Sequence, residues 1–111
     1  MSGTTIISIS NSITSNSSQS GIFASNQGAV GTIIELMIDN VTATGNNNGV
    51  FVKGTAYVQL GRSNISGNTT GVNNATSPNN FYTFNDNYIN FNGTNNASNF
   101  GDESLIGVSR Q

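Results

Sequence analysis

The 111-residue chain has no cysteine, no histidine, no tryptophan and a single proline. Without cysteine there is no disulfide framework and no thiolate metal site, although the compartment stays open because many secreted proteins also lack cysteine. Without histidine there is no Ser-His-Asp triad, no Cys-His pair and no imidazole ligand. Charge is scarce too: Asp, Glu, Lys and Arg make up 7% of the chain, against about 25% in ordinary soluble domains. Three basic residues face five acidic ones, so the electrostatic footprint of a nucleic-acid binder is missing. No apolar run approaches the roughly 20 residues of a membrane span. Met1-Ser2-Gly3-Thr4 is not the basic-then-apolar opening of a signal peptide. The chain therefore reads either as cytosolic or as the product of removing a leader or a larger parent.

What is present instead is a recurrence. An apolar or small residue is followed three positions later by asparagine at Ile13/Asn16, Ala43/Asn46, Ile65/Asn68 and Ile89/Asn92, at spacings of 30, 22 and 24 residues. Glycine and a β-branched residue then follow as Gly21-Ile22, Gly49-Val50 and Gly71-Val72. Ahead of three anchors stand apolar pairs separated by two: Leu36 and Ile38, Val58 and Leu60, Tyr82 and Phe84. Separation by two is strand periodicity with both side chains on one face. The first unit fits less well, since Ile6 is followed by Ser8 while Ile7 and Ile9 flank it, and a one-residue bulge would restore its register.

Each unit thus reads as a short strand, a corner, an anchor strand, an Asn turn and a Gly-led third strand. Units of this length cannot bury an apolar face alone and must stack. The expected fold is all-β, a right-handed parallel β-helix (solenoid) of about four short coils in one domain spanning 1–111. Its buried columns are expected at Leu36/Val58/Tyr82, Ile38/Leu60/Phe84, Ile13/Ala43/Ile65/Ile89 and Ile22/Val50/Val72. Asparagine suits the corner because it tolerates the left-handed backbone and its amide can bond the neighbouring unit. Asn16, Asn46, Asn68 and Asn92 are therefore expected to form a structural ladder. Ser17 to Ser20 and Asn26 to Gly31 have loop compositions, Ser77-Pro78-Asn79-Asn80 is a turn, and Ser104 to Ser109 is a final strand or a cap.

The run Asn64-Ile65-Ser66-Gly67-Asn68-Thr69-Thr70-Gly71-Val72 resembles the Asn/Gly-rich repeats of the pectin-lyase-like superfamily, and the likeness extends loosely from Ile6 to Asn92. The resemblance implies a right-handed parallel β-helix. For function it implies a wide field: polysaccharide lyases, glycoside hydrolases, epimerases, tailspikes and adhesins. Lyases of that kind are implied to use an arginine or lysine base beside acidic calcium ligands, and the hydrolases paired carboxylates. Arg62 is the one plausible centre of such an enzyme, and counting back from the anchors places Arg62 beside Asp86 as an exposed ion pair, with Asp39 one place off the column. Glu35 and Asp39 fall short of the six to eight oxygens calcium takes. No metal and no cofactor is implied.

The outward face of the anchor strands carries two polar columns, Ser12, Thr42, Asn64 and Tyr88 on one side and Thr14, Thr44, Ser66 and Asn90 on the other. Such a flat array of hydroxyls and amides could hydrogen-bond carbohydrate, while ordinary solvent-facing strand residues would look the same. Phe23 and Phe51 should stack on adjacent units. The leading expectation is a non-catalytic structural or surface-interaction module whose partner is a polysaccharide or another cell-surface molecule, in a secreted or cell-surface setting. The alternative is a polysaccharide lyase or glycoside hydrolase fragment. With few units and open ends, the chain reads as a fragment of a longer solenoid, or as a short one that associates as a homo-oligomer or by end stacking.

Overall fold

The computed structural model describes residues 3–26, 31–76, 81–84, 86–98 and 106–108, with the backbone alone at 96–98 and 106–108. Every element among them is a strand: β1 (Gly3–Ser15), β2 (Ser20–Ser25), β3 (Thr32–Thr44), β4 (Asn48–Lys53), β5 (Ala56–Gly61), β6 (Asn64–Ser66), β7 (Thr70–Ala75), β8 (Phe81–Phe84), β9 (Tyr88–Asn90), β10 (Thr94–Ser98) and β11 (Ile106–Val108). All pairings are parallel. β2, β4, β7 and β10 make a four-stranded sheet, and the other strands make a seven-stranded one. Parallel pairing without helical crossovers requires the chain to travel round and return to the same edge, and the curled sheets are compatible with a β-helix.

The seven-stranded sheet forks at β3. Its first half pairs with β5 and its second half with β6. At the fork Asn11 and Asn40 adopt φ of 52° and 55°, and Arg62, at the same register, adopts 47°. A single left-handed residue turns the strand direction, and asparagine is the non-glycine residue that bears this most readily. The long strands β1 and β3 therefore bend through an asparagine, whereas in the third unit the break at Arg62 separates β5 from β6.

The core lies between the two sheets and holds Leu36, Ile38, Val41, Ala43, Val50, Val52, Val58, Leu60, Ile65, Val72 and Phe81, all of them at most 2% exposed. Each large apolar side chain buried this way contributes about 1.5–3 kcal/mol. The Ile22/Val50/Val72 column is observed, as are Leu36/Val58, Ile38/Leu60 and Ala43/Ile65/Ile89.

Two expected columns are corrected. In the fourth unit Phe81 pairs with Val58 and Thr83 with Leu60, so Tyr82 and Phe84 are not the inward pair, and Phe81 is the fully buried ring. Counting back from the anchor at a fixed interval missed an extra residue between β8 and β9. In the first unit Thr14, not Ile13, pairs with Ala43. No bulge interrupts β1 on β3; the straight register instead brings Ile7 beside Leu36 and Ile9 beside Ile38, where both pack on the core. Ile13 is turned outward, 78% exposed. Two isoleucines gain the apolar side at the expense of one.

After Asn92 the chain continues as β10, in which Asn96 stands beside Val72. β11 pairs with β8, within the segment expected to form a last strand or cap. The Ser77 to Asn80 turn lies outside the described residues.

Candidate functional site

The Asn corner is a hydrogen-bonded column with a direction. Asn46 Oδ1 accepts from Ser17 N at 2.9 Å and its Nδ2 donates to the Thr14 carbonyl at 3.2 Å. Asn68 repeats this on the second unit, accepting from Asn46 N at 2.9 Å and donating to the Ala43 carbonyl at 3.0 Å. Asn92 does so on the third, accepting from Asn68 N and donating to the Ile65 carbonyl, both at 2.9 Å. The first rung is Ser17, which is 29 residues from Asn46. Asn16 instead occupies the preceding corner position with φ of 60°, in register with Gly45 at 72°, Gly67 at 70° and Phe91 at 56°.

The Asn-x-x-Gly spacing has a steric cause. A Cβ on Gly49 would lie 2.6 Å from the Gly71 carbonyl oxygen and 3.0 Å from Asn68 Nδ2, and one on Gly71 would lie 2.7 Å from Asn92 Nδ2. Glycine is needed where the next unit's backbone and ladder amide approach.

A second polar column was not legible in the spacing. Ser63, 4% exposed, accepts from Val41 N at 3.1 Å while its own N donates to Asn87 Oδ1 at 2.9 Å. A third contact ties Asn26 to Thr32 and Thr55. Residue type varies along these positions, so no motif marks them.

The outward polar face is rearranged by the same register. One column is Ile13, Thr42, Asn64 and Tyr88; the other is Ser15, Thr44, Ser66 and Asn90. Ser12 drops out, since it pairs with Val41 and donates to the Ser10 carbonyl at 2.8 Å. Thr14 stands in the inward column, half-buried. Thr42, Thr44, Asn64, Ser66, Tyr88 and Asn90 do share one surface. Beside them Tyr88 and Phe91 place their ring centroids 6.2 Å apart at 52°. Phe91 is 76% exposed.

Arg62 is committed to the neighbouring strand. Its guanidinium forms an ion pair with Asp39, with Nε 3.0 Å from Asp39 Oδ1. Asp86 accepts from the Arg62 backbone N at 3.0 Å, so the expected side-chain pairing with Asp86 is replaced by one with Asp39. The hydrogen bond to Asp39, then its charge, hold the guanidinium above its ordinary pKa. An arginine so paired is a poor proton acceptor. Among the described residues no group of three acidic side chains converges to hold a metal.

Comparison with known proteins found no match among family models, curated proteins or solved structures.

Open grooves lie on the other outward surfaces. One, of about 410 Å³, lies over β3, β5 and β8 and is lined by Glu35, Met37, Tyr57, Gln59 and Tyr82 among others. The second, about 370 Å³, lies over β2 and β4 beside Phe23 and Phe51. Those rings stand 5.3 Å apart at 45°, and Lys53 Nζ sits 5.7 Å from the Phe51 ring centre. No helix among the described residues is long and apolar enough to cross a membrane.

Proposed function

We propose that this chain is a non-catalytic surface-interaction module built as a short right-handed parallel β-helix, contacting carbohydrate through the outward face of β3, β6 and β9. Parallel pairing of each unit with the next, 29, 22 and 24 residues on, supports the solenoid. The interaction reading rests chiefly on Phe91. Its register mates at the left-handed corner are asparagine or glycine, and a bulky residue there costs about 1–2 kcal/mol of backbone strain. Phe91 is also exposed, so it gains little burial in return. A ring kept where it serves neither backbone nor core suits contact with a ligand. Together with Tyr88 it offers an aromatic platform beside the Thr42/Asn64 and Thr44/Ser66/Asn90 columns, the pairing of apolar ring and hydrogen-bonding groups that a sugar uses.

Retention on immobilised neutral and acidic polysaccharides tests this. Wild type is expected to bind at least one of them, and Tyr88→Ala and Phe91→Gly to release it with unchanged circular dichroism. Retention of both variants at wild-type strength would place the contact elsewhere, and a wild type that passes through every matrix would remove the carbohydrate reading.

The rival, a polysaccharide lyase or glycoside hydrolase fragment, needs Arg62 available as a base. Its engagement by Asp39 weighs against that chemistry.

A further inference from the structure

The groove over β3, β5 and β8 belongs to a different surface from the polar face and has a different chemistry. Glu35 stands beside Tyr57 and Met37 beside Gln59, while Gln59 stands beside Tyr82. Tyr57 and Tyr82 are therefore diagonal neighbours on adjacent parallel strands, about 8 Å apart by the strand spacing and the rise of two residues, and both line the same groove. Met37 and Tyr57 are each 41% exposed, apolar surface left uncovered on a sheet face. The face of a tyrosine ring is electron-rich, and the Glu35 carboxylate adds a formal negative charge at the same place. Among the described residues the cations lie elsewhere: Arg62 is paired with Asp39 and Lys53 sits over Phe51.

We infer that this groove binds a small organic cation, an alkylammonium head such as the trimethylammonium group of choline. Such a cation is weakly hydrated and carries its charge under methyl groups, so it can use ring faces, the Met37 side chain and the Glu35 carboxylate together. A neutral sugar would find in Glu35 a hydrogen-bond acceptor but no charge to balance it, and an anion would be repelled by it. The Lys53 contact with Phe51 is the same kind of interaction made within the chain.

Choline chloride titrated against the intact chain, followed by tyrosine fluorescence and by amide chemical shifts, provides the test. Saturable binding is expected, with shifts centred on β3, β5 and β8. The neutral isostere in which tert-butyl replaces trimethylammonium should bind about tenfold more weakly, Glu35→Gln and Tyr57→Leu should each weaken choline about fivefold or more, and Tyr57→Phe should keep it. The chemical-shift spectrum of each variant separates loss of the site from loss of the fold. Equal binding of choline and its isostere would reduce the groove to an apolar patch and overturn the inference. So would preference for a neutral oligosaccharide, shifts centred on β6 and β9, or no saturable binding of choline by the wild type.

Discussion

Asn68 holds its amide oxygen against the backbone N–H of Asn46 and its amide nitrogen against the Ala43 carbonyl, in a site 4% exposed. Removing the side chain strands two backbone groups at once. Asn68→Ala is expected to lower stability by about 2–6 kcal/mol, at about 1–3 kcal/mol for each of the two buried groups left unpaired, read as a fall in the urea midpoint at constant slope. Asn16→Gly provides the contrast: it removes a residue outside the ladder and relaxes a left-handed φ, so the same measurement should show no loss. These two asparagines look alike in the sequence, each three places after a small or apolar anchor. What separates them is the one-residue difference in register, invisible until β1 is laid on β3. The Asn-x-x-Gly spacing was legible because both residue types repeat. Ser63 and Asn87 do equivalent work at the next corner without repeating a type, so no count could find them.

At the level of the strand, alternation identified which segments extend but not always which side faces in. Leu36/Ile38 and Val58/Leu60 were placed correctly because their strands join the anchor without an added residue. Phe81-Tyr82-Thr83-Phe84 offers an apolar residue at nearly every place, and the extra residue before β9 moves the inward side from Tyr82 to Phe81. Phe81→Ala should therefore cost about 3–5 kcal/mol, as for a buried ring, whereas Tyr82→Ala should cost less than about 1 kcal/mol. Equal losses in thermal or urea unfolding would return the register to the one counted from the anchor. The outward face suffered the same slip: Thr42, Asn64, Tyr88 and Thr44, Ser66, Asn90 stay together, while Ser12 and Thr14 leave because the first unit is offset.

For the molecule as a whole, the exposed boundary of the stack matters most. β1 pairs with β3 on one side and has no second strand partner among the described residues. Its 13 residues contain no charge and no proline, the devices that usually keep edge strands apart. The chain is expected to associate with rising concentration, measured by light scattering after size exclusion, and Ser8→Lys to shift it toward a single chain. A wild type of constant single-chain mass across the concentration series would count against this. The sequence suggests association only through its few units and open ends, and it does not say where, because only the pairing shows which strand is left with an open side.

The three ladder amides, Asn46, Asn68 and Asn92, all reach the same way. Asn46 closes groups on the unit before it, Asn68 closes those on the next, and Asn92 those on the one after. During synthesis from the amino terminus, each unit therefore emerges with its corner still open and is sealed only when its successor arrives. Assembly from the amino terminus is then expected to close the ladder corners in order, each one by the unit that follows it, with the last-made corner the loosest.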